Sequence, residues 1–116
     1  MSNNLPEEFQ DLERYVPAWV HETERGRNQY RVSQDMDTLR EFYDSMMPRM
    51  DAIAQALDAF PLNAMPRRAA TLLQLAQMAM EVAPSIEYYN APDVPDSVEY
   101  SKFEILDTPP RYQIVD

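Results

Sequence analysis

"DMDTLREFYDSMMPRMDAIAQALDAF", residues 35–60, is the stretch on which the fold turns. Its apolar positions Met36, Leu39, Tyr43, Met46, Met50, Ile53, Leu57 and Phe60 advance by three and four in strict alternation. That spacing keeps one stripe of a helix turned towards its neighbours. Asp35 or Asp37 can cap its start, and Pro61 is expected to end it after Phe60. Pro48 lies inside the stripe, removes one backbone hydrogen bond, and is expected to bend the helix without splitting it.

Reading outward towards the C-terminus, "MPRRAATLLQLAQMAMEVA" predicts a second helix from Pro66, whose fixed φ suits a first helical position. Met65, Ala69, Leu72, Ala76, Ala79 and Ala83 form its stripe, widened by Leu73, Leu75 and Met80. Ala69, Ala76 and Ala79 are small enough to let another helix come close, so this is expected to be the most buried element. Pro84 breaks it, although "PSIEYY" can add a turn.

Towards the N-terminus, "LPEEFQDLERYV" offers Phe9, Leu12 and Val16 as a short helix starting at Pro6, with Glu7 and Glu8 placed for the helix dipole. After Pro17, "PAWVHETERGRNQYRVSQ" reads as one more helix over residues 17–34. Trp19, Thr23, Gly26 and Tyr30 run along its edge, with Arg25, Arg27 and Arg31 beside them. Packing against the bundle accounts for that edge: Gly26 permits close approach, Thr23 bonds a backbone carbonyl, and the arginines pair with Glu22, Glu24 or the acidic tail. A sharper reading keeps Trp19, Thr23, Arg27, Tyr30 and Arg31 as a partner or ligand surface, the aromatics covering an apolar group and an arginine holding a carboxylate.

These elements give an all-α chain: a small, mainly antiparallel bundle of about four helices over residues 1–89, followed by an extended arm over residues 90–116. One glycine in 116 residues argues against many tight β-turns, and no alternating stretch is long enough for a core sheet. The arm, "NAPDVPDSVEYSKFEILDTPPRYQIVD", carries Pro92, Pro95, Pro109 and Pro110 with Tyr100, Phe103, Ile105 and Leu106 between them. Proline keeps such a segment extended and its aromatics need a surface, so it either wraps its own bundle or docks on another protein.

Composition limits the function. The chain has 20 acidic and 10 basic residues and a formal net charge of -10, which opposes non-specific phosphate binding and makes nucleic acid a poor partner. It has no cysteine, so disulfides and thiolate metal sites are excluded. No run of 18 apolar residues and no leader pattern occurs, so no membrane span is expected and the location read from the sequence is cytoplasmic.

"REFYDSMMPRM", "FPLNAMP" and "LLQLAQMAMEVAPSIEYYNAPDVPD", with Trp19 and the pair Thr23 and Glu24, resemble a family of small bacterial all-helical proteins over most of residues 19–103. The resemblance implies the helical fold and brings no catalytic residues with it.

The remaining chemistry is sparse. His21 and Glu24 stand three apart, with Glu13 a conceivable third ligand, but one histidine falls short of the paired Glu and His pattern of carboxylate-bridged metal bundles. Gly26 alone makes no phosphate loop, and no nucleophile stands in a Gly-x-Ser-x-Gly frame. No enzyme, cofactor or metal is therefore expected. The expected function is that of a non-enzymatic accessory or adaptor protein that binds another protein. The alternative is a carrier or sensor of a small hydrophobic or aromatic compound, held in a pocket lined by some of the eight methionines. A closed core favours the adaptor, and a cavity of several hundred cubic ångströms favours the carrier.

Overall fold

In the computed structural model, residues 4–89 and 112–115 are described. The chain begins with a 3-10 segment, Glu7–Tyr15, that runs into a single α-turn, α1 (Val16–Trp19). Long 3-10 runs are uncommon because their side chains eclipse. This one is two short pieces joined at a kink, where Phe9 adopts φ -119°, ψ 26°. Pro17 sits near the start of α1, where a missing amide hydrogen is harmless. It does not separate two helices as expected. The break falls at Val20, which is extended at φ -92°, ψ 119°.

Helix α2 (Glu24–Ser33) therefore starts well after Pro17, and Trp19 belongs to the element before it. Thr23 is the N-cap: its hydroxyl accepts from the Gly26 amide at 3.0 Å. The expected bond from Thr23 to a carbonyl is replaced by this cap because residue 23 is extended and precedes the helix. Gly26 has a local reason. A Cβ there would meet Thr23 Oγ1 at 3.2 Å and His21 Cβ at 3.4 Å.

The deciding stretch forms α3 (Met36–Met46), a 3-10 turn Met47–Arg49, and α4 (Met50–Leu57). Asp35 caps α3, accepting from the Thr38 amide at 2.8 Å. Pro48 tightens one turn and the helix resumes, as its position predicts. The stripe differs in two places. Phe42, with Leu39, Met46 and Ile53, fills the core where Tyr43 was expected, and Tyr43 is only half-buried. At the far end the helix stops at Leu57, leaving Phe60 37% exposed in the following turn.

Helix α5 (Arg67–Pro84) touches every other helix. Ala69, Ala70, Leu72, Leu75, Ala76, Met78, Ala79 and Val82 are buried along it, which fits its expected place at the centre. Met80, expected in the stripe, is 62% exposed instead. Pro66 is the N-cap of α5, and a π-turn, Ser85–Tyr89, extends the helix past Pro84.

Cross-links give the directions of the rods. Arg27 reaches Gln77 and Arg31 reaches Glu81, both 50 positions on, so α2 runs parallel to α5. Tyr43 reaches Glu87 while Leu57 packs beside Met65 and Ala69, so α3 and α4 run antiparallel to it. Arg14 meets Glu41 and Ser45, and Arg49 meets Asp11, which sets the N-terminal segment antiparallel to α3 and α4.

One strand pair accompanies the bundle. β1 (Met65–Pro66) pairs in parallel with β2 (Ile114–Val115), Met65 opposite Ile114 and Pro66 opposite Val115. The buried Gln74 donates from Nε2 to Tyr112 Oη at 2.6 Å. Residues 112–115 are thereby tied to the start of α5. The rest of the proline-containing arm, residues 90–111 and 116, lies outside the described residues.

Candidate functional site

Two parts of the surface bear on function: the segment around α2 singled out by the sequence, and an open groove at the start of α5. Around α2 the aromatic residues do converge. Trp19 lies flat on Phe42 with centroids 4.1 Å apart, and Tyr30 meets the Trp19 edge at 5.0 Å. Trp19 is 6% exposed, so most of its apolar area is spent on the core. Tyr30 is half-buried, and burial raises its hydroxyl pKa. His21 covers the outer side of Tyr30 at 4.9 Å and turns Nε2 to the Ala18 carbonyl at 2.9 Å. The ring is thus half-buried against its own chain.

Two of the arginines beside them, Arg27 and Arg31, reach α5. Arg31 is 7% exposed and donates from Nε to Glu81 at 2.9 Å and from Nη1 to Ser85 at 3.1 Å. Arg27 donates from Nη1 to the His21 carbonyl at 3.2 Å and to Gln77 at 3.4 Å. Of the five residues, Trp19, Arg27, Tyr30 and Arg31 thus fasten α1 and α2 to the bundle, and Thr23 starts the helix that carries the last three. Sequence spacing brought them onto one edge; it gave no sign of Phe42, Glu81 and Ser85, which come from distant segments and close that edge.

Met46, Met65 and Met78 are fully buried. The described residues also bound a groove of about 460 Å³ between the N-terminal segment, the end of α4 and the start of α5. Leu57, Phe60, Pro66, Ala69 and Leu72 supply its apolar lining, and Glu7, Glu8 and Arg68 its charged groups. None of the methionines lines it. A second hollow of about 410 Å³, on the other side of Arg68, is polar and includes Asn4, Glu22, Arg67, Thr71 and Gln74. Neither groove was legible in the sequence, because each joins residues more than 45 positions apart.

Elsewhere, titrating groups are shifted by ordinary local bonds. The Tyr43 hydroxyl donates to Glu87 at 2.6 Å, which raises its pKa, and the Thr38 amide lowers that of Asp35. Among the described residues no three histidine, aspartate or glutamate side chains stand together as a metal site, and no helix is long and apolar enough to cross a membrane. No protein-family model, curated protein or solved structure matches the chain.

Proposed function

We propose that this chain is a non-enzymatic adaptor that binds another protein. The observation that supports the reading is large apolar side chains left exposed on the outer surface of α5. Met46, Met65 and Met78 are packed away, whereas Met80 on the outer face of α5 and Tyr88 on its π-turn extension are 62% and 78% exposed. Large apolar side chains held on a rigid helix suit the low-entropy anchors of protein interfaces. A photo-reactive residue placed at position 80 of the full-length chain, activated in its native cells, tests this. A discrete protein adduct is expected, and its absence under conditions that label a control surface protein would overturn the adaptor.

The second reading, a carrier of a small apolar compound, is supported by the volume of the groove at Leu57 and Leu72, which lies in the range of small-molecule sites. It places the ligand away from the methionines. Extraction of the purified chain with organic solvent and mass spectrometry of the extract would reveal a stoichiometric compound if this reading holds.

A further inference from the structure

The groove at the start of α5 carries more than an apolar lining. Glu7 and Glu8 reach it from the N-terminal segment and Arg68 from α5. Among the described residues none of the three side chains takes part in an ion pair. At the same groove Phe60 is 37% exposed, and Leu62 beyond it is 58% exposed.

The turn that presents these two side chains is fixed at several points. The Phe60 amide donates to the Leu57 carbonyl at 3.1 Å and the Ala64 amide to Pro61 at 3.1 Å. Gln113 then clips the turn from outside: its amide donates to Leu62 at 2.7 Å and its carbonyl accepts from Met65 at 2.8 Å. The surface thus offers a rigid apolar knob, an apolar hollow and charges of both signs.

A two-fold axis sets position i of one copy against position j of the other and position j against i, so an interface of this kind must be complementary to itself. This surface carries both halves of such a contact, Arg68 with Glu7 and Glu8, and Phe60 with the apolar lining. We propose that the groove is closed by a second copy of this chain, forming a two-fold homodimer held by Phe60 and reciprocal contacts of Arg68 with Glu7 and Glu8. The net charge of -10 opposes association. At physiological ionic strength, however, screening over about 8 Å leaves the charges at the contact to decide its fit. The proposal is independent of the adaptor reading, whose exposed anchors lie at Met80 and Tyr88.

Sedimentation equilibrium of the full-length chain should give twice the monomer mass of 13.5 kDa. Arg68→Glu alone, and Glu7→Arg with Glu8→Arg, should each weaken the dimer by about a hundredfold or more, because each places like charges together twice. Mixing the two variants should restore a dimer containing one copy of each, since both contacts then regain opposite charges. Circular dichroism melts confirm that each variant is folded before it is mixed. A monomeric wild-type chain, a dimer indifferent to both reversals, or folded variants that fail to pair on mixing would each overturn the proposal. None of these results bears on photo-crosslinking at position 80, so the two readings fail separately.

Discussion

The two ends of α5 are finished in different ways. At the C-terminal end Arg31 crosses from α2 to bond Glu81 and the buried Ser85, and Tyr43 crosses from α3 to Glu87. At the N-terminal end Leu57, Phe60, Ala69 and Leu72 meet in an open groove with Glu7, Glu8 and Arg68 at its edge. One end satisfies its polar groups within the chain. At the other, among the described residues, Glu7, Glu8 and Arg68 take part in no ion pair and Phe60 is 37% exposed. A buried ion pair contributes little net stability over a well-packed apolar substitute, but it penalises every alternative arrangement that leaves one charge alone. The clasped end therefore holds α2 in place, and the other end carries the groove.

The largest expected effect tests where the core ends and the groove begins. Leu72 is fully buried and also borders the groove, so Leu72→Ala should cost about 2 to 5 kcal/mol through lost burial and a cavity. Leu57 borders the same groove but is only half-buried in the single chain, and Leu57→Ala should cost the monomer about 1 to 2 kcal/mol, because there the lost side chain already touched solvent. Urea melts of both variants rank the two. Equal losses in dilute, monomeric chain would mean that the groove is closed within the chain itself.

Next in size is the clasp. Arg31→Ala leaves Glu81 facing Ser85 without its cation and should cost about 2 to 3 kcal/mol, with part of the loss recovered when Glu81→Gln is added. Denaturant melts of the two single variants and the double variant measure this coupling. Simple additivity would remove the clasp from the comparison.

A smaller effect is expected at Thr23, whose hydroxyl starts α2. Thr23→Ala should cost about 1 kcal/mol and raise hydrogen exchange over residues 24–30 while that of α5 stays the same. Spread of the change into α5 would show that the clasp depends on the cap.

The smallest concerns Asp35 and carries a pH signature. The Thr38 amide lowers the Asp35 pKa from its ordinary 3.8, so the ionised form is the one that folding favours. Its contribution is present above 3.8 and is lost as pH falls through the lowered folded value. Asp35→Ala should therefore melt below the wild-type chain at neutral pH, with the gap narrowing as acid protonates the cap. A gap that stays constant down to the acid limb would exclude the carboxylate as its source.

Much of this was legible in sequence because it is local. The period of three and four in residues 35–60, the cap at Asp35, the effect of Pro48 and the alanine face of α5 depend on residues a few positions apart, and the structure agrees with them except at Tyr43 and Phe60. Local rules erred where two of them competed. Pro17 was expected to divide two helices, but proline near a helix start breaks nothing, and the helix could end at Val20 with Thr23 free to cap the next one. Phe42 and Tyr43 both suit the period, and the choice fell to the ring that Trp19 stacks on and Tyr15 meets edge-on.

The sequence by itself determined the helical class, the positions of the longest helices and the absence of cysteine chemistry, since periodicity, proline geometry and composition act within a few residues. Tertiary structure alone decided that Arg31 bonds Glu81 and Ser85, that Gln113 clips the turn after α4, and that Glu7, Glu8 and Arg68 share one groove with Phe60. Each joins residues about 50 or more positions apart, and a contact between such residues exists only once the rods have been given direction and register, which no short stretch of the chain encodes.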